Sequence, residues 1–367
     1  MKNIVGIIFY IFITGWLLTP CISGHCQSVD SMSLKAYAPV PVGVAIGYEP
    51  MLHNQAYQNV VSTDFDHVTF EYALKNGAIV RPDGSFDYRK ADILVNTCRA
   101  KGLNIYGHTL CWYQNNSPFM ASLKGDSTAI EHFLKKYITT TISRYRNSIH
   151  AWDVVNEAIN SSGKLRINGR ERRDYFYWGQ YLKAGYIARA FRYAHAADPK
   201  AKLFYNDYNL ETDPAKLNAV VNLVERLKKQ GVPIDGVGTQ LHMSINTPAE
   251  GIDNAFRQLA STGLLVRISE LDIKLNPSND PDFVITKQLL KRQGRKCRQV
   301  LSAYFKYVPA GQRFGITFWN VGKKDSWIVK GSHHTDSPTL FDGHYRPKPM
   351  YLMALDYFKN KGTTKAN

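Results

Sequence analysis

The stretch Ile149–Val155 (IHAWDVV) is a short apolar run rich in β-branched residues, and it ends directly in Asn156 and Glu157. Short apolar runs bounded by polar residues are typical of buried strands. Seven further runs of this kind lie on either side of it. We therefore predict strands over Val42–Ile46, His67–Phe70, Leu103–His108, Ile149–Val155, Lys202–Tyr205, Gly236–Leu241, Leu265–Ser269 and Phe314–Phe318.

Longer stretches with helical periodicity alternate with these runs. We predict helices over Tyr88–Lys101, Thr128–Arg144, Tyr181–Ala197, Pro214–Gln230, Pro248–Ser261, Phe283–Tyr307 and Pro349–Lys359. Alternating strands and helices indicate the α/β class, with a parallel sheet covered by helices. Eight such strands favour a closed (β/α)8 barrel, the TIM-barrel architecture, over an open doubly wound sheet. The absence of a G-x-G-x-x-G motif after the first strand argues against a dinucleotide-binding fold.

The N-terminal segment differs from the rest of the chain. Lys2 precedes an apolar run, Ile4–Leu18, and small and polar residues follow, which is typical of an export signal; a retained membrane anchor is the alternative. Lipid attachment at Cys21 or Cys26 is disfavoured by the residues preceding each cysteine. We predict a signal peptide over residues 1–26 and one catalytic barrel domain over residues 27–367. The protein would then be secreted, periplasmic or on the cell surface.

The chain is basic, with 46 Lys and Arg against 30 Asp and Glu and a net charge of +16. Such a balance can indicate binding to nucleic acid or to an acidic polymer. The densest basic run, Lys291–Arg298, lies in a predicted helix and has no interleaved aromatic residues, which favours a solvated helix face. We expect a monomer that binds no nucleic acid and has no obligate protein partner. Cys98, Cys111 and Cys297 allow at most one disulfide, so the fold should not depend on disulfides.

Seven of the eight predicted strands end on polar or aromatic residues. In a (β/α)8 barrel the C-terminal ends of the strands meet at one rim, where the chemistry takes place. We therefore expect one cleft lined by Glu71, His108, Asn156 with Glu157, Asn206 with Asp207, Gln240 with His242, Glu270 with Asp272, and Trp319.

Two of these side chains, Glu157 and Glu270, form the carboxyl pair that glycoside hydrolysis requires. Two carboxylates placed close together repel each other, which raises the pKa of one, while hydrogen bonds keep the other ionised. His242 can donate to Glu270 while Asp272 holds the other nitrogen of the ring. The pattern predicts a glycosidase.

Other chemistries have weaker signals. The chain contains neither an H-E-x-x-H motif nor paired-cysteine spacing, and His333, His334 and His344 lie in a Gly-, Asp- and Ser-rich stretch typical of surface loops. There is no G-x-S-x-G nucleophile motif. We predict that the protein uses no metal and no cofactor.

The segments around these residues resemble glycoside hydrolase family 10, the retaining endo-β-1,4-xylanases with a (β/α)8 barrel. The resemblance runs from about residue 40 to residue 358, and the matching segments occur in the order of the family. They are Gly107–Leu110, Trp152–Ala158, Tyr205–Asn209, Asp235–His242, Ile268–Ile273, Thr317–Trp319 with Asp325–Trp327, and Leu340–Asp342 with Arg346–Pro349.

The resemblance implies Glu157 as the acid/base and Glu270 as the nucleophile. It also implies that Asn156 contacts the 2-hydroxyl of the attacked sugar and that Gln240 and His242 bracket the nucleophile, with Asp272 behind His242. The substrate-binding residues would be Glu71, Lys75, His108, Trp112, Asn206, Trp319 and Trp327. The implied activity is cleavage of internal bonds in xylan with retention of configuration, and the implied ligands are xylan and xylo-oligosaccharides.

Two alternatives remain open at this point. A related β-glycan such as a glucan could be the substrate. A glycan-binding protein without turnover is less consistent with the sequence, because a binding protein has no need of the acid Glu157.

The chain departs from the family pattern at the distal subsites. The family usually has Thr-Pro-Glu-Asn-Glu-Met-Lys where this chain has Thr69–Lys75 (TFEYALK), so Tyr72 replaces an asparagine. Tyr113, Asn115 and Phe119 stand where His, Gln and Trp are usual. We expect an intact catalytic centre with altered distal subsites.

Overall fold

The structure is a computed structural model that describes residues 33–123, 125–167, 176–332 and 334–362. The predicted signal peptide, Cys21, Cys26 and His333 lie outside the described residues. Within the described ranges, none of the helices combines the length and the apolar character needed to span a membrane.

Nine parallel strands are present in the described residues. They are β1 (Val42–Ile46), β2 (His67–Phe70), β3 (Asn104–Gly107), β4 (Ile149–Asn156), β5 (Lys202–Asp207), β6 (Gly236–Thr239), β7 (His242–Ser244), β8 (Leu265–Lys274) and β9 (Arg313–Phe318). Their order is β6-β5-β4-β3-β2-β1-β9-β8-β7, and β6 also pairs with β8. That last pairing closes eight strands into a ring, which confirms the predicted (β/α)8 barrel.

The sixth predicted strand, Gly236–Leu241, is divided in two. β6 ends at Thr239, and Leu241 adopts a left-handed conformation with φ 59°. The chain then resumes as β7, which pairs with the far end of β8, His242 lying opposite Asp272. β8 accordingly runs to Lys274, beyond the predicted end at Ser269.

Helices cover the outside of the ring. They are α1 (Leu34–Tyr37), α2 (Tyr48–His53), α3 (Gln55–Asp64), α4 (Asn76–Ile79), α5 (Arg89–Ala100), α6 (Pro118–Ser122), α7 (Ser127–Tyr145), α8 (Tyr177–Leu182), α9 (Gly185–Ala197), α10 (Pro214–Lys229), α11 (Ala249–Ser261), α12 (Lys287–Tyr307), α13 (Trp327–Ser332) and α14 (Pro349–Gly362). Short 3-10 turns lie at Ala310–Gln312 and Lys323–Asp325.

Local sequence explains where several helices begin. The side chain of Asp126 accepts a hydrogen bond from Ala129 N at 2.8 Å, and Asp213, followed by Pro214, accepts one from Lys216 N at 3.0 Å. Such caps satisfy backbone N–H groups that have no partner within the helix. Thr286 caps α12 in the same way, so this helix begins after the predicted start at Phe283.

Two helix predictions were wrong. The predicted helix Tyr181–Ala197 is two helices, because Lys183 has a left-handed φ of 56° and interrupts the hydrogen-bond ladder between α8 and α9. No helix was predicted between the first two strands, where α2 and α3 lie. α3 buries only Tyr57, Val61 and Asp64, which is too weak a pattern to identify from periodicity.

The barrel interior has an apolar layer and a charged layer. Tyr106, Ala151 and Phe204 pack together inside the ring. Arg267 is fully buried, and its guanidinium lies 3.3 Å from the centroid of the Tyr106 ring. It donates to Thr69 Oγ1 at 3.1 Å and to Thr317 Oγ1 at 2.8 Å, and it lies 3.8 Å from Asp153. This charged layer joins strands on opposite sides of the ring directly below the rim.

We predict that Arg267→Met lowers the free energy of unfolding by about 3 kcal/mol, because removing one partner of a buried ion pair leaves the other uncompensated. Arg298→Met is the control, since Arg298 contacts Asp356 at 2.6 Å on the surface and both side chains are about half exposed. Its loss should be below about 1 kcal/mol. Urea unfolding monitored by tryptophan fluorescence measures both, and equal losses would contradict a special role for the buried pair.

Candidate active site

A cleft of about 1350 Å³ opens at the C-terminal ends of the strands. Most of the residues expected from the sequence line it, namely Glu71, Lys75, His108, Trp112, Asn156, Glu157, Gln240, His242, Glu270, Trp319 and Trp327. Asn206 and Asp272 lie directly beneath its floor and are fully buried. Strand ends distant in sequence therefore meet in one place.

Glu157 follows the last residue of β4 and adopts a left-handed conformation with φ 58°. The residue is 7% exposed, and its Oε1 accepts hydrogen bonds from Asn156 Nδ2 at 3.0 Å and Gln240 Nε2 at 2.8 Å. Burial raises the pKa of Glu157, and the charges of Asp207 and Glu270 add to that effect, while the Gln240 bond opposes it. Glu157 therefore keeps its proton to a higher pH than an ordinary glutamate does.

Glu270 lies on β8 and is 4% exposed. Oε1 accepts a hydrogen bond from Asn206 Nδ2 at 2.8 Å, and Oε2 lies 3.2 Å from His242 Nε2. Burial alone would raise the pKa of Glu270, but His108, His242 and Lys75 outweigh it and lower the pKa to about 2. The nucleophile candidate is therefore ionised across the ordinary pH range.

His242 bridges two carboxylates. Its Nδ1 lies 2.9 Å from Asp272 Oδ2, which also accepts a hydrogen bond from Trp327 Nε1 at 2.9 Å. Burial lowers the pKa of His242, but Asp272 and Glu270 together outweigh burial and raise it to about 10. At neutral pH the ring is thus charged, and both nitrogens donate.

Two amide side chains have partners other than those implied by the resemblance. Gln240 lies beside Glu270 through its backbone, since Gln240 O accepts a hydrogen bond from Glu270 N at 3.1 Å, while its side chain donates to Glu157 and, at 3.3 Å, to Asn156. Asn206 was expected to bind substrate; it instead donates to Glu270 and to Asn156 Oδ1 at 2.9 Å from below the cleft. The register across strands decides which groups these two side chains meet.

Asp207 was expected at the rim but is buried behind it. Successive side chains of a strand point to opposite faces, so Asn206 points into the barrel and Asp207 points toward the surrounding helices. Asp207 Oδ1 lies 2.7 Å from Lys216 Nζ of α10. Both side chains are fully buried.

The aromatic wall of the cleft suits sugar rings. Lys75 Nζ lies 4.3 Å from the centroid of the Trp112 ring, and burial lowers the pKa of this lysine. Trp319 meets the rings of His108 and His242 edge-on, at 5.5 and 6.0 Å between centroids. Trp327 is 43% exposed and so presents an open indole surface.

Sequence reasoning missed a second wall formed by the loops after β4 and β5, with Asn160, Ser161, Ser162, Arg166, Tyr208 and Asn209. The guanidinium of Arg166 lies 4.2 Å from the centroid of the Tyr113 ring and donates to Tyr208 Oη at 3.0 Å. These loop residues belong to no strand or helix pattern. Two signals were available: Tyr208 and Asn209 belong to the matching segment Tyr205–Asn209, and Arg166 lies close to Glu157 along the chain.

The residues that depart from the family pattern are found in different environments. Tyr113 and Asn115 line the cleft. Tyr72 is 51% exposed and is not among the described residues that line it. Phe119 packs against Phe133 at 5.0 Å between ring centroids, so it contributes to the core.

The described residues contain no group of three His, Cys, Asp or Glu side chains placed to hold a metal ion. His344 is exposed. Cys98, Cys111 and Cys297 are buried free thiols. Burial raises the pKa of each of these thiols, so none is set up as a nucleophile.

A (β/α)8 barrel with a buried pair of carboxyl groups in a cleft at its C-terminal rim is the arrangement that glycoside hydrolases use. The particular family follows from comparison with known proteins. The sequence model of glycosyl hydrolase family 10 matches residues 31–357, and the chain belongs to this family.

Relatives of known activity extend over most of the chain. It is 35% identical over 341 residues to endo-1,4-β-xylanase A of Cellvibrio japonicus, an alignment that covers 87% of this chain and 55% of that protein. It is 30% identical over 344 residues to an endo-1,4-β-xylanase of Geobacillus stearothermophilus, covering 90% of this chain and 99% of the relative. The chain thus spans about half the length of the Cellvibrio relative.

Solved structures show the same barrel. Native xylanase 10B from Thermotoga maritima superposes with a TM-score of 0.81 at 27% identity, covering 90% of this chain and 99% of that one. Xylanase 10B from Thermotoga petrophila RKU-1, in complex with xylobiose, gives a TM-score of 0.82 at 27% identity, and the superposition covers 92% of this chain and 100% of that one.

We predict that Gly238→Ala damages the site. A Cβ atom at Gly238 would lie 2.2 Å from Asn206 Oδ1, so Asn206 must move away from Glu270. A displacement of about 1 Å in a positioning group can lower the rate about 100-fold. Hydrolysis of an aryl β-glycoside measures the effect.

The matched control is Gly311→Ala, because a Cβ atom there would meet nothing within 4 Å. Its activity should equal that of the wild type. Wild-type activity in Gly238→Ala would show that the position of Asn206 does not matter.

Proposed function

We propose that this protein is an endo-1,4-β-xylanase that hydrolyses internal β-1,4-xylosidic bonds of xylan with retention of configuration, in the degradation of plant cell-wall polysaccharides. One observation carries the proposal: Glu157 and Glu270 line one cleft and are linked through Asn156 and Asn206, and Glu157 meets neutral amides while Glu270 meets the His242 imidazole. Membership of glycosyl hydrolase family 10 and the activities named for the relatives support the choice of substrate.

In the first step, Glu270 attacks the anomeric carbon and Glu157 gives its proton to the departing glycosidic oxygen. The carbon–oxygen bond of the glycoside breaks, and an ester bond to Glu270 forms. Ionised Glu270 is available for this attack because His242 and Asn206 stabilise its negative charge.

In the second step, Glu157, now ionised, takes a proton from a water molecule, which attacks the anomeric carbon and releases Glu270. The charge of Glu270 is lost in the ester, so the repulsion that raises the pKa of Glu157 falls. The carboxyl group that acted as an acid can therefore act as a base. Two inversions give net retention.

The walls of the cleft assign binding roles. Lys75, Trp112, Trp319 and Trp327 are proposed to hold the sugars on the non-reducing side of the cut, with indole faces against the apolar faces of the rings. Glu71 and His108 would bind hydroxyl groups there, and Asn156 would contact the 2-hydroxyl. The wall formed by Arg166, Tyr113 and Tyr208 lies beside Glu157, the proton donor, and is proposed to receive the leaving group.

The organisation of the whole protein is proposed from its sequence. Residues 1–26 would direct export, and residues 27–367 would form one catalytic barrel domain that acts as a monomer on xylan outside the cytoplasm. Reducing-sugar release from xylan, with a β-1,4-glucan in parallel, tests the activity. Faster release from the glucan would reassign the substrate, and release from neither would indicate a binding protein.

We predict that Glu157→Ala and Glu270→Ala each reduce turnover of xylan by about 1000-fold or more, as expected for groups that act as a unit. An aryl xyloside with a good leaving group needs no proton in the first step. With this substrate Glu157→Ala should show a burst, and azide should restore turnover and give the β-azide product. Product analysis by NMR measures both.

Glu225→Ala serves as the control, because Glu225 lies on the surface of α10 beside Lys228. It should retain full activity on both substrates. If azide fails to rescue Glu157→Ala, or if rescue gives the α-azide, then the acid/base assignment is wrong.

We predict a change in pH dependence for Gln240→Leu. Gln240 donates to Glu157 and thereby lowers its pKa, so removal of this bond raises the pKa of Glu157. Glu157 must be protonated for the first step, and kcat/KM falls as pH rises through its pKa. The alkaline limb of the profile on xylo-oligosaccharides should therefore move to higher pH.

The acid limb, which depends on Glu270, should not move. The control is Gln258→Leu, which removes a partly buried hydrogen bond to Asn254 within α11, outside the cleft lining, and should leave both limbs in place. A shift of the alkaline limb to lower pH would contradict the assigned contact.

A further inference from the structure

We infer that Tyr205, Asp207 and Lys216 are positioning residues for the acid/base carboxyl group, and that they act by fixing the backbone that carries Glu157. None of the three is among the described residues that line the cleft, so they do not meet the substrate. The inference rests on the proposed function, because it assigns a role to these residues within that reaction.

Positioning residues are needed here because of the backbone conformation of Glu157. This residue has φ 58°, a left-handed conformation that residues with a Cβ atom adopt only when their surroundings impose it. A return to the ordinary β region would redirect the side chain away from the leaving-group oxygen. The geometry of proton donation thus depends on what holds this turn.

Three hydrogen bonds hold it. Glu157 N donates to Asn206 O at 2.9 Å, and Glu157 O accepts from Arg166 Nε at 3.1 Å. The next backbone amide, Ala158 N, donates to the hydroxyl oxygen of Tyr205 at 3.1 Å. The Asn206 bond fixes the peptide that precedes Glu157, while the Arg166 and Tyr205 bonds fix the oxygen and the N–H of the peptide that follows it.

The tyrosine hydroxyl accepts from Ala158 because its own proton is directed elsewhere. Tyr205 Oη donates to Asp207 Oδ2. A hydroxyl has a single proton, so donation to Asp207 leaves its lone pairs to face the N–H of Ala158. A neutral or displaced group in place of Asp207 would free the hydroxyl to rotate.

Asp207 is in turn held from the helix layer. Its Oδ1 accepts from Tyr208 N at 2.9 Å and lies 2.7 Å from Lys216 Nζ. Tyr205 and Asp207 are two residues apart on β5, so they share the face toward α10, which carries Lys216. A buried ion pair contributes little net stability, since desolvation offsets its attraction. The Asp207–Lys216 pair instead fixes the carboxylate of Asp207, which in turn orients the hydroxyl of Tyr205.

The test compares two substrates in Tyr205→Phe, which removes only the hydroxyl. Xylo-oligosaccharides have a poor leaving group and need proton donation by Glu157, whereas a dinitrophenyl xyloside does not. We expect kcat/KM to fall at least about tenfold on the oligosaccharide and to stay within about twofold of wild type on the aryl substrate. Lys216→Met should give the same pattern, because it releases Asp207.

Tyr304→Phe is the matched control. Tyr304 is equally buried, and its hydroxyl donates to Val266 O at 2.9 Å outside the cleft lining. This variant should change the two substrates by the same factor. Circular dichroism and thermal unfolding of each variant measure any general loss of structure.

An equal loss on both substrates in Tyr205→Phe, or no loss on either, would overturn the positioning role while leaving the proposed xylanase intact. A wild-type protein inactive on both substrates would overturn the proposed function, and the inference with it.

Discussion

Pairing between β6 and β8 closes the ring of strands, and the arrangement at the rim depends on it. β6 carries Gly238 opposite both Asn206 of β5 and Arg267 of β8. Because no side chain projects from Gly238, Asn206 extends past it and reaches Glu270 on β8. The Asn206 amide thereby links Glu270 to the strand end that carries Glu157, since the same Nδ2 also donates to Asn156, the neighbour of Glu157.

The site places two carboxyl groups in the same buried environment and gives them opposite properties. Burial raises the pKa of both, so the difference comes from their partners. Glu270 faces a charged imidazole, whereas Glu157 accepts hydrogen bonds from neutral amides and lies near the further negative charge of Asp207. A cation stabilises a carboxylate far more than an amide does in a medium of low polarity.

Beneath the rim, buried charges are arranged in pairs. Arg267 lies near Asp153 inside the barrel, and Lys216 lies against Asp207 between the barrel and α10. Such pairs add little to the free energy of unfolding, but removing either partner leaves a buried charge uncompensated. Each pair therefore holds its two side chains in a fixed position. Asp153 orients His108, with His108 Nδ1 2.9 Å from Asp153 Oδ2, and Asp207 orients Tyr205. His108 in the cleft and the backbone turn at Glu157 are therefore each contacted by a chain of hydrogen bonds that leads to a separate buried ion pair.

The sequence by itself determined the barrel, the order of its strands and the meeting of Glu157 with Glu270 at one rim. These features follow from local periodicity and from the rule that parallel strands end on the same side. Only the tertiary structure decided that Gln240 contacts Glu157, that Asn206 contacts Glu270, and that Asp207 lies behind the rim. Such contacts depend on register between strands, which shifts between Asp153 and Val155 and between Ile268 and Leu271, and on the left-handed turns at Glu157 and Leu241. Neither is visible in a local pattern, because a shift of one residue reverses which face a side chain occupies.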